Sequence, residues 1–322
     1  MLVSFIISSQ AKEEKLLKTL DSIKAQTNSN FEIILVDDEP IAGSNSLDFL
    51  HQEFFANPKI TLVVNNRPQG PSTNWNTGLE LARGAYTCFL KEGDIVAPHF
   101  VEKIAKLVKE TNQPLDIIQF AQKHVGFIEQ DTDNDEGLLI SNKIYDLTTD
   151  HTPFAYLNQN LYGKLFATNI IKNYRIRFRD SNRFDALFVY RVLGHAKTFY
   201  KLPDVLITHL KTPLRYSVFD LVNQWPHILN YYRKIGTYKE LRDELNYAYI
   251  YQLAYSFLSL TRQLENKQLY KKALRFSYDR MSGKLGNNFQ KNKVYQKHQN
   301  EKFSAWIKEY GDQVSLELRR LK

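Results

Sequence analysis

The sequence predicts an α/β domain with a mainly parallel sheet, followed by a helical module. Three observations carry this reading. The chain opens on an apolar strand, Leu2 to Ile7, and reaches a second, Phe31 to Val36, through an amphipathic segment, Glu13 to Gln26; that is one strand-helix-strand unit. The alternation of strands and helices then continues to about residue 210. After Pro213 the texture changes to Leu, Tyr and Lys or Arg at helical spacing, with Gly236 the one glycine of residues 216–277. The expected boundary therefore divides 1–215 from 216–322.

The elements follow in order. Ile60 to Asn65 is a short strand, and Ser72 to Ala82 is a helix entered after Gly70-Pro71. Tyr86 to Leu90 is a buried strand. Pro98 to Thr111 is a helix, with Phe100, Val101, Ile104, Ala105 and Val108 on one face. Leu115 to Phe120 is another strand. The acidic stretch Gln130 to Gly137 reads as a solvated hairpin tip, because it lacks the glycine and glutamate spacing of a calcium loop. Asn160 to Tyr174 leads into a helix, Phe184 to Leu193 is a second, and Thr198 to Leu210 is extended with a turn at Pro203-Asp204. In the last third, Tyr247 to Thr261 is too short for a bilayer span and carries four Tyr and a Gln, which suits a buried bundle helix. Gly283 to Asn300 reads as a polar loop, and Ser304 to Leu321 as a final amphipathic helix.

Composition narrows the class. With 322 residues and 43% hydrophobic content the chain can bury a sizeable core. Its start lacks a basic n-region and a cleavage site, and its single cysteine, Cys88, lies in an apolar strand, so a cytoplasmic setting without disulfides is expected. The net charge of +8 is concentrated: residues 216–322 hold 19 Lys+Arg against 10 Asp+Glu, and the rest of the chain 24 against 25. Such a basic helical module suits a peripheral contact with anionic lipid at the inner membrane face, an anionic polymer, nucleic acid or a second copy of the chain; a solvated helical surface is the plainer reading. Cys/His metal-ligand spacing, a Gly-x-x-x-x-Gly-Lys loop, a Gly-x-Ser-x-Gly elbow and any nucleic-acid module are all absent.

The second strand ends in Asp37-Asp38, and open parallel sheets bind ligands at that edge. Together with Val3-Ser4-Phe5-Ile6-Ile7, Leu20-Asp21-Ser22-Ile23, Asn76-Thr77-Gly78-Leu79 and Gly84-Ala85-Tyr86-Thr87-Cys88-Phe89-Leu90, this order of motifs resembles the family 2 glycosyltransferases, which have the GT-A fold. The helical tail is similar, less specifically, to members that act on wall teichoic acid or capsule. The resemblance implies an inverting transfer of a sugar from a nucleotide diphosphate sugar, a UDP-sugar above all, to a hydroxyl of a glycan, polymer or lipid-linked acceptor. That chemistry needs a carboxylate base, charge neutralisation at the departing diphosphate, usually by Mg²⁺ or Mn²⁺, and reactants held in line.

Carried residue by residue, the resemblance implies that Asp38 reads the nucleotide base, with Ser8 and Ser9 lining its pocket; an aspartate closing a strand is the alternative. Asn74 and Arg67 are candidates for phosphate contact. Trp75 stands where the family often has arginine, and either stacks on a ring or packs in the core. The family's metal motif is altered to Lys91-Glu92-Gly93-Asp94. Three readings stay open: Glu92 and Asp94 as a shifted pair of cation ligands, Lys91 as a fixed charge near the diphosphate, or a site that has lost catalysis. Asp185 is the candidate base, with Phe184 beside it to desolvate its carboxyl, or it is an ordinary helix-dipole residue. His209 is a candidate ligand to metal or diphosphate, and Lys211 with Arg215 a candidate flap. The rival function is a non-catalytic GT-A module serving as a binding or partner subunit.

Overall fold

The computed structural model describes residues 1–10, 13–38, 51–54, 57–127, 138–179, 185–212 and 217–321. The acidic stretch 130–137, Phe184 and Arg215 lie outside the described residues.

Among the described residues, nine strands form one sheet: β1 Val3–Ser9, β2 Phe31–Asp37, β3 Ile60–Val64, β4 Tyr86–Lys91, β5 Ile95–Val96, β6 Ile117–Gly126, β7 Ile144–Asp146, β8 Lys164–Ala167 and β9 Thr198–Lys211. Their order is β3-β2-β1-β4-β8-β6-β9-β5, with β7 also on β9. Strands β1 to β4 pair in parallel; β8 runs against both β4 and β6, and β9 runs parallel to β6. The carboxyl ends of β1, β2, β4, β6 and β9 therefore share one edge. β1 and β2 are apolar almost throughout because both faces of the sheet are covered.

Helices α1 Glu13–Lys24 and α2 Pro71–Leu81 follow β1 and β3, and α3 Phe100–Thr111 follows β5. Phe100 of α3 packs on Phe5 and Phe120, with ring centroids 5.5 and 5.3 Å apart. α2 lies against β1 and β2. Its glycine explains the Asn-Thr-Gly-Leu motif: a Cβ on Gly78 would stand 2.3 Å from Ile6 Cγ2, so only glycine lets this helix reach the strand. After α4 Thr152–Tyr156 come α5 Thr168–Asn173 and α6 Asp185–Leu193. Phe188 of α6 packs on Phe89 of β4 and Phe166 of β8, and stacks on Phe178 at 4.0 Å.

Several expectations are corrected. Asn160 to Tyr174 contains the strand β8 before its helix, because Lys164–Ala167 is buried between β4 and β6. Pro203-Asp204 is a bulge inside continuous β9 rather than a turn: Leu202 pairs with Phe120 and Val205 with Ala121. β6 runs on to Gly126, longer than its apolar core suggests, because its polar half pairs with β9.

The described residues divide into two compact units. The first holds residues 1–127, 140–147 and 158–212, apart from those not described; the second holds 138–139, 148–157 and 217–321. The segment 148–157 is thus grouped with the C-terminal helices. Within that unit α4 packs on the helix Arg242–Tyr251, with Tyr156 against Tyr247 at 5.2 Å. Gly283 to Asn300 is not a loose loop. It forms short helical turns whose Phe289 and Tyr295 are buried against each other and against Phe303. The final segment breaks at Glu309 into two helices, Glu301–Lys308 and Tyr310–Arg320. Among the described residues no helix is long and apolar enough to cross a membrane.

Candidate active site

The strand register assembles the site. Ser9 pairs with Asp37 on one side, and Ser8 with Lys91 on the other, so the ends of β2, β1 and β4 stand in a row. Adjacent strands are about 4.8 Å apart, and the groups following these three strands fall within one nucleotide's width.

On the β2 side a polar chain runs from strand to strand. Asp38 is buried, and its carboxylate accepts from Asn65 Nδ2 at 3.0 Å, from the Gln69 amide at 2.8 Å and from the Gly70 amide at 2.6 Å. Asn65 also donates to Asn74 Oδ1 at 2.9 Å, and Asn74 Nδ2 donates to Ser8 Oγ at 3.1 Å. Ser8, Asn74 and Asp38 are thereby brought together by Asn65. Asp38 braces the loop that enters α2. Three protein donors leave its carboxylate room for a further one, since two oxygens offer about four acceptor positions. Asn74 is fully buried, and its two amide atoms bond to Asn65 and Ser8, so it positions both. Trp75 packs in the core, on Phe89, Tyr162 and Phe178.

On the β4 side the altered motif is a tight turn. Gly93 has φ +94°, and a Cβ there would meet Leu210 Cδ2 at 2.4 Å, so both conformation and space require glycine. Asp94 is fully buried. Its Oδ2 accepts from the Lys91 amide at 3.0 Å, and its Oδ1 from the Leu210 amide at 3.0 Å. His209 Nδ1 lies 2.8 Å from the same Oδ1. Lys91 reaches across to β9, donating to the Leu210 carbonyl at 3.0 Å and to Thr212 Oγ1 at 2.9 Å. Glu92 turns toward β1, where it accepts from Ser9 Oγ and the Gln10 amide, each at 3.3 Å. Among the described residues no three His, Cys, Asp or Glu side chains converge as cation ligands. Glu92, Asp94 and His209 are thus not a three-ligand set, because Glu92 faces β1 while the other two face β9.

Burial holds the His209 imidazole below its ordinary value; the Asp94 carboxylate opposes this, and Lys211 and Lys91 add to it. His209 is therefore neutral at pH 7. Its Nδ1 side faces a carboxylate, which favours the tautomer whose other nitrogen keeps a lone pair. The unfolded chain takes up a proton near pH 6.5 that the folded chain refuses until lower pH. The unfolded state then binds more protons, so stability falls as pH drops below about 6.5 and is level above it. Denaturation midpoints in EDTA at about pH 5.5 and 7.5 are expected to show this loss, and His209→Gln to lessen it; an undiminished loss in the variant would assign it elsewhere.

Asp185 opens α6 and is half-buried. α6 ends at Leu193, just before β9 begins at Thr198 on the amino edge of the sheet. A helix of nine residues spans about 13 Å, with Asp185 at its amino end and Leu193 at its carboxyl end. The segment before it is also fixed: Asn76 donates to the Phe178 carbonyl at 3.0 Å and accepts from the Phe178 amide at 2.8 Å. Sequence reasoning missed Asn65, Thr212 and this use of Asn76. Asn65 had a signal, being the first polar residue after β3 as Asp38 is after β2; Thr212 had none.

A model of glycosyl transferase family 2 matches residues 4–167, half of the chain. The chain belongs to this family. Among curated members it is 28% identical over 156 residues to an uncharacterized glycosyltransferase of Haemophilus influenzae, covering 44% of this chain and 50% of that one. It is 31% identical over 91 residues to the amylovoran biosynthesis glycosyltransferase AmsB of Erwinia amylovora, covering 28% and 30%. It is 29% identical over 111 residues to the Escherichia coli UDP-Glc:alpha-D-GlcNAc-diphosphoundecaprenol beta-1,3-glucosyltransferase WfgD, covering 34% and 42%. The matches span half or less of each relative's length. Among solved structures, S. aureus TarS 1-349 in complex with UDP-GlcNAc has a TM-score of 0.60 at 15% identity, covering 93% of each chain. The Pyrobaculum calidifontis mannosyltransferase PcManGT in complex with GDP-Man and Mn²⁺ has a TM-score of 0.53 at 13% identity, covering 98% and 86%. At these identities the likeness is one of fold, and the family 2 chain has the GT-A fold with a helical C-terminal region.

Proposed function

We propose that this family 2 chain transfers a sugar from a UDP-sugar to a hydroxyl of a glycan, polymer or lipid-linked acceptor, inverting the anomeric centre. The observation that carries the proposal is the row of strand ends at one edge, with Asp38 after β2, Ser8 on β1 and the Lys91–Asp94 turn at the end of β4.

In this reading Asp38 accepts the imide N–H of uracil at its remaining acceptor position, with Ser8 beside the base. Asp185, at the start of α6, takes the proton of the attacking hydroxyl. Lys91 places a fixed positive charge at the end of β4, where the diphosphate leaves. A divalent cation also fits the donor types present. Asp94 and His209 would hold it together with diphosphate oxygens, and it would offset charge on the leaving group. WfgD is named as using UDP-Glc and TarS is bound to UDP-GlcNAc, which supports a UDP-sugar; PcManGT is bound to GDP-Man, so the guanine nucleotide is the competing donor. The names of AmsB and WfgD support a polysaccharide or lipid-linked acceptor.

The altered motif keeps the non-catalytic reading in play, and one titration separates the two. Calorimetry with UDP and GDP, each with and without Mn²⁺, is expected to give saturable binding of UDP, weakened about tenfold or more in Asp38→Ala. Absence of UDP binding in both conditions would reject the proposal.

A further inference from the structure

Residues 172–179 read Lys-Asn-Tyr-Arg-Ile-Arg-Phe-Arg, with four cations and no acid. Burial alternates through the second half: Arg175, Arg177 and Arg179 are exposed, while Ile176 and Phe178 are buried. Such alternation marks an extended segment with one face in the core. Two contacts fix its facing. Phe178 stacks on Phe188 at 4.0 Å, and Asn76 clamps both the amide and the carbonyl of Phe178. The three arginines are thereby committed to the outward face, about 6.5 Å apart along the chain.

Two of these side chains, Arg175 and Arg177, are loosely held by the fold. Arg175 makes no side-chain hydrogen bond or ion pair with any described residue, and it occupies the left-handed position after α5, with φ +49°, where glycine is the usual occupant. Arg177 pairs with Glu80 at 2.5 Å, but both are 58% exposed, and such a pair is easily exchanged for another anion. Lys172, Arg175 and Arg177 rim a cleft of about 350 Å³ floored by Leu79, Ile171 and Ile176. Tyr174 adjoins the row. It is 54% exposed and stacks one face on His195 at 3.7 Å.

We propose that this face binds a linear anionic polysaccharide. Charges repeating along a polymer match a row of guanidiniums, which bind carboxylate and phosphate alike, and the apolar C–H face of a pyranose ring suits the open side of Tyr174. A single-stranded nucleic acid fits less well, because such ligands stack successive bases on successive aromatic rings, and this row offers one ring for three cations. The proposal is independent of the transfer reaction.

The test is fluorescence anisotropy with two labelled probes, an alginate oligosaccharide for carboxylate and polyphosphate for phosphate, with neutral dextran, oligo(dT) and phosphatidylglycerol vesicles as comparisons. Three neutralised charges give a salt slope of about −2, so affinity is expected to fall about 16-fold between 50 and 200 mM salt. The triple variant Arg175→Gln, Arg177→Gln, Arg179→Gln is expected to bind alginate at least tenfold more weakly. Its melting curve and UDP titration are expected to match those of the parent. Binding of polyphosphate without binding of alginate would show a bare polyanion site with no use for a sugar ring and would overturn the proposal. Equal binding by the triple variant would assign the polyanion to the basic C-terminal helices and overturn the proposal. So would preference for oligo(dT) or vesicles over both probes, or no binding at low salt.

Discussion

Asp185→Asn is expected to lower kcat for sugar transfer by about 10²–10⁴-fold, the usual worth of a positioned general base. The affinity for UDP is expected to stay within about threefold, because the base of a transfer reaction faces the acceptor and not the nucleotide. The variant is nearly isosteric. The loss of a charge from the first turn of α6 costs about 0.3–1 kcal/mol through the helix dipole, too little to unfold the chain. The measurement is a kcat and KM pair against a panel of nucleotide sugars, with UDP calorimetry on the same preparation. Unchanged turnover would remove Asp185 from the base role. Lost UDP binding at unchanged turnover per bound donor would make it a donor ligand instead.

The second large effect is expected at Asp94, and it is one of stability before activity. Asp94→Ala leaves the part-buried amides of Lys91 and Leu210 without their acceptor, and an unsatisfied donor that folding takes from water costs about 1–3 kcal/mol. The variant is therefore expected to lose about 2–5 kcal/mol, with loss of the Lys91 to Leu210 bridge close behind. Thermal denaturation in EDTA reads this without reference to any cation. A melting temperature within a degree of the parent would mean that Asp94 does not hold the β4 and β9 ends together. Such a result would return it to the role of a free ligand.

Particular residues show what could be read from the chain alone. Apolar runs such as Phe31–Val36, and the helical spacing of Phe100, Val101 and Ile104, are local statements about burial, and the structure places both in the core. β8 was hidden because Lys164 to Ala167 is only four residues and its first is a lysine, buried all the same under neighbouring strands. Asn74 and Asn76 are two residues apart in one motif, and nothing local distinguishes their tasks. One holds Ser8 and Asn65, the other clamps Phe178, and those partners come from distant parts of the chain. The altered Lys91–Asp94 motif was legible as an alteration. Its consequence was not, because it depends on β9, more than a hundred residues on, supplying an amide, a carbonyl and an imidazole.

Side-chain periodicity, and which residues end a strand, were enough to read the α/β order, the edge where Asp38 and Asp94 would lie, and the helical character of the last third. Which of those polar groups stay open to a ligand depends on long-range packing. A carboxylate's availability depends on the donors that folding brings to it, and Asp38 and Asp94 receive theirs from residues 65–70 and 209–210, which no local pattern announces.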